Sequence, residues 1–257
     1  MSDWLFDLGN SRLKCAPLRE DGSVGEVRAI GHDGGRFVDG WEAALPLRIG
    51  AAHVASVAPA ALRIALFEAL AARSALITRA STQPAWAGVR IAYARPERLG
   101  VDRFLAVLGA RARGPQAWLV VGVGTALTVD LLDAGGLHRG GRIAPSPQLM
   151  RDALHRRARQ LPAEGGEYVA FAADTGDALA SGCLGAAVGL VGNSIAAARE
   201  ALGRAPQLIV HGGGAAPLLA QLSGAVHAPA LVLEGLARWA RIDDATGPRI
   251  PAWSPDS

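Results

Sequence analysis

Cysteine and lysine are scarce in this sequence of 257 residues. The only cysteines, Cys15 and Cys183, are too few for a disulfide scaffold or for a four-cysteine zinc site. The simplest interpretation of so little cysteine is a reducing, cytoplasmic setting. Lys14 is the only lysine, so the net charge of +3 rests on arginine.

Aromatic residues make up only 5% of the chain, and none lies in its densest basic cluster. Proteins that read nucleic acids usually present aromatic stacking platforms or a recognisable helix motif beside their basic residues. The sequence offers neither, so we expect no nucleic-acid partner. We interpret the cluster as the solvated face of a helix, formed by Arg151, His155, Arg156, Arg157 and Arg159.

A segment that would direct the chain to a membrane is also missing. The N-terminus has no basic region and reaches Asp3 and Asp7 at once, which is unlike a signal peptide. Residues 178–198 carry no charge, but alanine, glycine and serine dominate them and Asn193 lies among them. Such a composition is only weakly apolar for a membrane-spanning helix. We predict a buried helix there and no membrane partner.

The chain is rich in what a globular core needs. Hydrophobic residues make up 50% of it and charged residues 19%, so it can bury a large core and is not disordered. The 32 glycines and 15 prolines follow no triplet period, which excludes collagen. The length suits one large domain or two of about half the chain each.

The same local pattern opens each half of the chain. Residues 4–6 and 13–18 read as strands around a tight turn, in which glycine and asparagine would tolerate positive φ. Residues 118–121 and 127–132 repeat this arrangement around the turn at 122–125. The repetition predicts a duplicated α/β unit with a cleft between the halves. Further predicted strands are 53–57, 137–143 and 208–210, and the predicted helices are 59–73, 97–113, 146–160, 177–202 and 231–240.

The two best-known phosphate-binding loops are absent. A Walker A loop places its lysine directly after a glycine, and Lys14 follows Leu13. The dinucleotide pattern G-x-G-x-x-G starts at Gly122 and Gly124 but has Leu127 where its third glycine belongs. Any nucleotide site must therefore be built in another way.

The turn at residues 7–11 offers such a site. A tight turn between strands presents backbone N–H groups to an anion, and the Asp7 carboxylate can hold water around a magnesium ion that bridges phosphates. Lys14 can approach the same phosphates. Gly124, Thr125 and Thr128 form a matching loop in the second half. Each loop alone is more simply interpreted as an ordinary hairpin turn, but a phosphate chain held between the two would explain the duplication.

Residues 100–103 form another candidate site because they directly precede an apolar helical pattern. Backbone N–H groups at a helix start can bind an anion, Asp102 can act as a general base, and Arg103 can bind a carboxylate. The alternative is a helix N-cap with an adjacent charge.

Weaker signals lie in the second half. Asp174 and Thr175 read first as a helix cap and only then as a ligand contact, while three glycines at 212–214 would permit close approach to a flat ligand such as adenine. His211 and the remaining histidines lack metal-site spacing, so we interpret them as structural.

Taken in order, the motifs resemble those of type III pantothenate kinases. They are Asp-x-Gly-Asn-Ser from Asp7, Gly-Val-Asp-Arg at 100–103, Gly-Thr-Ala-x-Thr-x-Asp at 124–130, Gly-Gly-x-Ile-Ala-Pro at 140–145, Asp-Thr at 174–175 and the late glycine run. The resemblance reaches from Asp7 to about Trp239. It implies the acetate and sugar kinase, heat-shock chaperone and actin superfamily, with two ribonuclease-H-like halves around a nucleotide cleft. We place these halves at residues 1–113 and 114–246, followed by a loose tail at 247–257.

The resemblance also implies an activity, which is ATP-dependent phosphorylation of pantothenate to 4′-phosphopantothenate, the first step of coenzyme A synthesis. By the family's motifs, Asp102 would accept the proton from the substrate hydroxyl, Asp7 would lie near the magnesium ion through water, and the enzyme would be a homodimer. The expected ATP contacts are Asp7, Leu8, Gly9, Asn10, Ser11, Arg12, Leu13, Lys14 and Thr125. The expected pantothenate contacts are Tyr93, Gly100, Val101, Asp102, Arg103 and Thr175.

One position departs from the family pattern. The family usually has an aspartate at the start of the second loop, where it coordinates a potassium or ammonium ion near a dimer interface. This chain has Gly122 there, which lacks a carboxylate. We therefore expect a reduced potassium dependence, and the helix at 178–198 could supply part of the interface.

Two other functions are compatible with parts of this pattern. Some relatives are described as accessory factors for transcription, and other members of the superfamily are acyl- or sugar-directed kinases or phosphatases. The retained Asp7, Asp102 and Thr125 argue against a non-catalytic regulator. The Gly-Val-Asp-Arg motif argues for pantothenate over other phosphate acceptors.

Overall fold

The computed structural model describes residues 1–246, with side chains as far as Arg241. It divides into two compact units. Unit 1 comprises Met1–Gly114 and the segment that begins at Ala230, and unit 2 comprises Pro115–Pro229. The tail predicted at residues 247–257 lies outside the described residues.

Unit 1 is built on a five-stranded sheet in the order β3-β2-β1-β4-β5. Its strands are β1 (Asp3–Leu8), β2 (Arg12–Leu18), β3 (Arg28–Gly31), β4 (Ile49–Ser56) and β5 (Ser74–Arg79). The first three pair antiparallel, while β1, β4 and β5 run parallel. The unit also contains a short hairpin, β6 (Ala85–Trp86) and β7 (Val89–Arg90), and 3-10 turns at Trp41–Ala44 and Pro96–Arg98.

The alternation of side chains along β1 decides which face of the sheet each of them occupies. Phe6 and Leu8 face a core that they share with Leu62 and Leu66 of helix α1 (Ala60–Ala71). Because successive side chains of a strand point to opposite faces, Asp7 lies on the other face. Two helices pack on that face, α2 (Val101–Ala112) and α6 (Leu231–Thr246).

Helices α2 and α6 approach each other closely at glycines. A methyl group added at Gly109 would lie 2.5 Å from the carbonyl oxygen of Leu231, and one added at Gly235 would collide with the carbonyl oxygen of Leu105. At the C-terminal end of α2, the guanidinium of its C-cap residue, Arg113, donates to both carboxylate oxygens of Glu234 in α6, at 2.7 and 2.8 Å. Helix α6 is therefore an integral part of unit 1, whereas the sequence-based boundaries assign residues 231–246 to the second half.

Unit 2 repeats the strand order of unit 1. Its sheet runs β10-β9-β8-β11-β12, with β8 paired antiparallel to β9 and parallel to β11. The strands are β8 (Trp118–Val123), β9 (Ala126–Leu132), β10 (His138–Pro145), β11 (Gln207–His211) and β12 (Val226–His227). The helices are α3 (Pro147–Arg157), α4 (Thr175–Leu202) and α5 (Ala215–Leu219). This arrangement confirms the predicted duplicated α/β fold.

Helix α4 covers one face of this sheet. It buries a set of residues against β8, β9 and β11: Leu184, Ala187, Val191 and Ala198. By length and composition alone it could also cross a membrane. Only seven of its 28 residues are buried, so the prediction of a buried helix holds for the face on the sheet and is wrong for the rest of α4.

Two charged side chains of unit 2, those of Asp130 and Arg151, are buried and not exposed to solvent. Asp130, part of the third motif, is buried and its carboxylate accepts a hydrogen bond from His138 Nε2 at 2.9 Å, which joins β9 to β10. Arg151 is also buried, and its guanidinium donates to the carbonyl oxygen of Gly165 at 2.7 Å. The prediction that the basic cluster is a solvated helix face is therefore wrong for Arg151, although Arg156 and Arg157 are exposed.

Candidate functional site

The first predicted phosphate loop connects β1 to β2. Gly9 N–H donates to the carbonyl oxygen of Arg12 at 3.1 Å and closes the turn, while Val57 N–H ties the carbonyl oxygen of Leu8 to the chain after β4. The loop therefore lies at the carboxyl edge of two parallel strands, where ligands of such sheets bind. The turn uses no positive φ, since Ala87 is the only non-glycine residue with positive φ in the described chain and Gly9 does not adopt one either.

The predicted ATP contacts in this loop fall into two groups. Leu8 and Leu13 are opposite each other in the β1–β2 ladder and are fully buried, so only their backbone can face a ligand. Asn10, Ser11 and Arg12 are exposed at the tip of the turn. The structure thus presents the amides and polar side chains of the tip and keeps the two leucines in the core.

Asp7 has an unusual electrostatic environment. Burial and repulsion from Asp102 raise the pKa of Asp7 to about 7, and attraction to Lys14 opposes the shift. Lys14 lies directly across the antiparallel ladder from Asp7. Three predicted site residues on β1, β2 and α2 therefore come within electrostatic reach of one another.

The start of α2 holds the carboxylate of Asp102 in place. Gly100 is the N-cap residue, and Asp102 lies in the first helical turn, where its Oδ1 accepts the backbone N–H of Arg103 at 2.9 Å. A methyl group added at Gly100 would lie 2.6 Å from that oxygen. The N-cap with an adjacent charge is therefore present, with Gly100 as the cap, and a glycine before Val101 leaves space for the Asp102 carboxylate.

Arg103 and Tyr93 are also brought together. The Arg103 side chain is buried on α2, with 7% of the residue exposed, and its guanidinium donates a long hydrogen bond of 3.4 Å to the hydroxyl of Tyr93. A guanidinium and a phenol that meet beside an aspartate form a suitable site for a small carboxylate that carries a hydroxyl.

In unit 2 the second loop is also closed by the N–H of its glycine, but the bonded carbonyl lies two residues further along the chain and not three as in the first loop. Gly124 N–H donates to the carbonyl oxygen of Ala126 at 2.9 Å, and Thr125 is exposed at the tip. The late glycines pack directly against this loop: Gly214 N–H donates to the carbonyl oxygen of Val123 at 3.0 Å, and a side chain at Gly212 would collide with the backbone of Val123. Close approach to Val123 is thus a physical reason for these glycines, for which the sequence suggested a flat ligand.

A larger side chain at Gly122 would require neighbouring side chains to move. A methyl group there would lie 2.7 Å from Thr128 Oγ1 and 3.0 Å from His211 Nε2. Among the described residues, no group of three or more His, Cys, Asp or Glu side chains is arranged to hold a metal ion. The residues at this position therefore do not fit the carboxylate-bound cation that the family pattern implies.

Thr175 is exposed as the first residue of α4. The preceding Asp174 caps the helix, because its Oδ1 accepts the N–H groups of Gly176 and Asp177 at 2.7 and 3.1 Å. Both hydrogen bonds lower the pKa of Asp174, and the bond from the N–H of Asp177 has the larger effect. The capping interpretation of this motif is correct.

One residue beside the first loop carries no signal in the linear sequence. His32 follows β3, a strand that the pattern missed, and its Nε2 lies 3.0 Å from the carbonyl oxygen of Gly9. A histidine in an exposed segment has no periodicity that would place it there.

Comparisons with known proteins agree on one family. A family model described as type III pantothenate kinase matches residues 4–197. The type III pantothenate kinase of Stenotrophomonas maltophilia strain R551-3 is 56% identical over 93% of this chain and 98% of the relative. That of Xylella fastidiosa strain 9a5c is 53% identical over 94% and 98%, respectively.

Solved structures show the same fold at low sequence identity. A Baf family transcriptional activator from Campylobacter jejuni has a TM-score of 0.63 at 18% identity, covering 95% of this chain and 100% of its own. A 2-dehydro-3-deoxygalactonokinase from Sinorhizobium meliloti has a TM-score of 0.59 at 18% identity, with 93% and 96% covered. An archaeal actin homologue has a TM-score of 0.50 at 12% identity, with 94% and 100% covered. These similarities show that the chain shares its fold with these three proteins.

Proposed function

Because the chain belongs to the type III pantothenate kinases, a family of phosphotransferases that use ATP and pantothenate for coenzyme A synthesis, we propose that Asp102 is the general base of this reaction. The observation that carries the proposal is the meeting of Asp7, Lys14 and Asp102 at the carboxyl edge of the unit 1 sheet. A base, a cation and a magnesium-binding carboxylate at one edge are the groups that phosphoryl transfer to an alcohol requires.

In this proposal the substrate is held by the groups around α2. The carboxylate of pantothenate binds the guanidinium of Arg103, Tyr93 supports that guanidinium, and residues 100–102 contact the rest of the molecule. Asp102 accepts the proton of the primary hydroxyl while the hydroxyl oxygen bonds to the γ-phosphorus of ATP. The bond from that phosphorus to the β-bridging oxygen breaks, and ADP leaves.

The first loop is the proposed site of the ATP phosphates. The amides of Asn10, Ser11 and Arg12 are at the exposed tip and Lys14 supplies a positive charge. The raised pKa of Asp7 means that its carboxylate needs a nearby positive charge to stay ionised. A magnesium ion held through water would supply that charge. Magnesium would neutralise charge on the phosphates. By the family's motifs, Thr125 is a proposed ATP contact and Thr175 a proposed pantothenate contact.

The cation requirement of this chain is proposed to be weaker than the family pattern implies. Gly122 supplies no carboxylate, and Thr128 and His211 fill the space in which one would lie. We therefore expect turnover with little dependence on potassium or ammonium. Strong activation of the purified enzyme by potassium would contradict this part of the proposal.

We also propose a homodimer located in the cytoplasm. Between α3 and α4, unit 2 has an open apolar groove of about 660 Å³ whose lining includes Leu149, Met150, Leu154 and Leu179. A second copy of the chain is the occupant that the family resemblance favours. Light scattering coupled to size-exclusion chromatography would report a mass of about twice 26.5 kDa.

The deciding experiment measures ADP release from ATP and magnesium in the presence of pantothenate. We would compare the wild type with Asp102→Asn, and use Asp39→Asn as a matched control, since Asp39 is exposed on the same unit. We expect pantothenate-dependent turnover in the wild type and the control, and a loss of at least about 100-fold in Asp102→Asn. Each protein would be assayed with and without potassium.

The other outcomes separate the alternatives. If the folded wild type binds ATP but shows no turnover with pantothenate, the phosphate acceptor is a different alcohol. If it binds no ATP, the non-catalytic regulator becomes the better interpretation. Full activity of Asp102→Asn would remove Asp102 from the role of base.

A further inference from the structure

The imidazole of His32 links a neighbouring turn to the first phosphate loop. His32 directly follows β3, whose last residue, Gly31, pairs with Arg12 at the start of β2. From there the ring reaches the loop, with Nε2 3.0 Å from the carbonyl oxygen of Gly9. The other ring nitrogen, Nδ1, lies 3.1 Å from the backbone nitrogen of Gly34.

The partners of the two nitrogens define the tautomer. A backbone N–H can only donate, so Nδ1 of His32 must accept the hydrogen bond from Gly34. The proton of the neutral ring therefore resides on Nε2, which donates to the carbonyl oxygen of Gly9. Both ring nitrogens are satisfied in this single arrangement.

The segment that carries His32 is itself fixed. Oδ1 of Asp33 accepts the N–H groups of Gly35 and Arg36 at 2.8 and 2.7 Å, which closes the turn after His32. The His32 ring packs against Phe37 in a T-shaped contact with centroids 5.7 Å apart, and Phe37 stacks on Trp41 with centroids 3.9 Å apart. The imidazole is therefore a rigid support.

Fixing the carbonyl of Gly9 also fixes the amide of the next residue. The peptide unit is planar and trans, so the N–H of Asn10 points away from the carbonyl of Gly9. The N–H of Gly9 is already bonded to the carbonyl oxygen of Arg12. With both peptide units that flank Gly9 held, the Asn10 amide is aimed away from His32 before any ligand arrives.

We propose that His32 is a positioning residue for ATP, which pre-orients the Asn10 amide for a phosphate oxygen through the Nε2–H bond to Gly9. The inference rests on the proposed ATP-binding role of this loop. It assigns His32 no contact with ATP, and it predicts that loss of the Nε2 donor weakens nucleotide binding while leaving pantothenate binding unchanged.

Variants at position 32 can separate the two hydrogen bonds. The amide nitrogen of glutamine can replace the Nε2 donor, and the amide oxygen of asparagine can replace the Nδ1 acceptor, whereas phenylalanine keeps only the ring packing on Phe37. We would prepare His32→Gln, His32→Asn and His32→Phe in the full-length chain. Binding of a non-hydrolysable ATP analogue would be measured by titration calorimetry, together with KM for ATP, KM for pantothenate and Tm.

We expect His32→Asn and His32→Phe to bind the analogue about tenfold more weakly than the wild type, the usual consequence of losing one hydrogen bond. His32→Gln should stay within about threefold of the wild type. KM for ATP should follow the same order and KM for pantothenate should not change. A merely structural role would instead lower Tm and raise both KM values together.

Several results would overturn the inference: unchanged binding in His32→Phe, equal weakening in His32→Gln and His32→Phe, or a parallel rise of both KM values. Failure of the proposed function would look different. In that case the wild type would show no pantothenate-dependent ADP release, while calorimetry would still report the ordered loss of analogue binding.

Discussion

Replacing Asp7 by asparagine should make the protein more stable and inactive at the same time. Burial, followed by repulsion from Asp102, raises the pKa of Asp7 from 3.8 to about 7 in the folded protein. A pKa difference of about three units corresponds to about 4 kcal/mol between the two protonation states. This free energy is the cost of keeping Asp7 ionised in the folded state at a pH above 7.

The pH dependence follows from the direction of the shift. Since the folded-state pKa of Asp7 is above the unfolded value, the folded protein binds the additional proton between about pH 4 and pH 7. The contribution of Asp7 to the free energy of unfolding is therefore fully retained at low pH and falls as the pH rises through this window. The carboxamide of asparagine cannot ionise, so the variant avoids that loss.

We expect Asp7→Asn to be more stable than the wild type by about 2–4 kcal/mol at pH 8, where the lower figure allows for relaxation around the carboxylate. At pH 5 the advantage should be less than half as large, because the wild type is then protonated in the folded state. Urea unfolding at both pH values, without nucleotide and with a chelator, would measure the difference. Turnover with pantothenate should be lost, since the proposed magnesium-binding carboxylate is gone.

Asp133→Asn is a control with the opposite sign. Burial raises the pKa of Asp133, but hydrogen bonds from Leu137 N–H and Arg139 Nε, with the charge of Arg139, outweigh it and lower the pKa overall. Its contribution to stability is present above the unfolded pKa and is lost on acidification. Asp133→Asn should therefore be less stable than the wild type at pH 8. If Asp7→Asn is also less stable there, or has an advantage independent of pH, our account of Asp7 is wrong.

Two glycine substitutions test the packing around α2. Gly100→Ala adds a methyl group 2.6 Å from Oδ1 of Asp102. Because this displaces the proposed base, kcat should fall at least about tenfold, while the free energy of unfolding changes by less than about 1 kcal/mol. A normal kcat would show that the position of the Asp102 carboxylate is not critical. Gly235→Ala forces a methyl group onto the carbonyl oxygen of Leu105 and should lower the free energy of unfolding by at least about 2 kcal/mol in urea titrations. Gly189→Ala is the matched control, because nothing lies within 4 Å of its added methyl group and alanine favours a helix by about 1 kcal/mol over glycine. If Gly235→Ala and Gly189→Ala changed the free energy of unfolding equally, the close approach of α2 and α6 would be contradicted.

The repeated opening of the two units was predictable because it depends on strongly patterned, buried strands. β1 and β8 are apolar runs that end at small-residue turns, and both turns exist, although each strand runs two residues further than predicted, to Leu8 and to Val123. The missed strands are of another kind. β3 is an edge strand in which only Ile30 is buried, and β5 is an edge strand with no buried residue. Such strands form by pairing with a neighbour, which leaves little trace in local hydrophobicity.

The residues of the candidate site also fall into those that the sequence indicated and those that it did not. The types and order of the motif residues pointed to Asp7, Asp102 and Arg103, and the structure brings these groups to one edge. The role of Gly100 depends on a carboxylate two residues away in a helical turn, and that of His32 on pairing between β3 and β2. Both depend on tertiary geometry, so no motif in the linear sequence indicates them.

The position of α6 has a consequence for how the chain matures. Unit 2 is continuous in sequence, whereas unit 1 needs residues from both ends of the chain. During synthesis, all residues of unit 2 emerge from the ribosome before the helix that packs on α2 does. Unit 2 can therefore acquire its native structure first, while unit 1, although translated earlier, still exposes the face that α6 will cover. A chain that stops before Ala230 would accordingly retain an intact second unit and a permanently unfinished first one, so that Asp102, the proposed base, would be supported by an incomplete core.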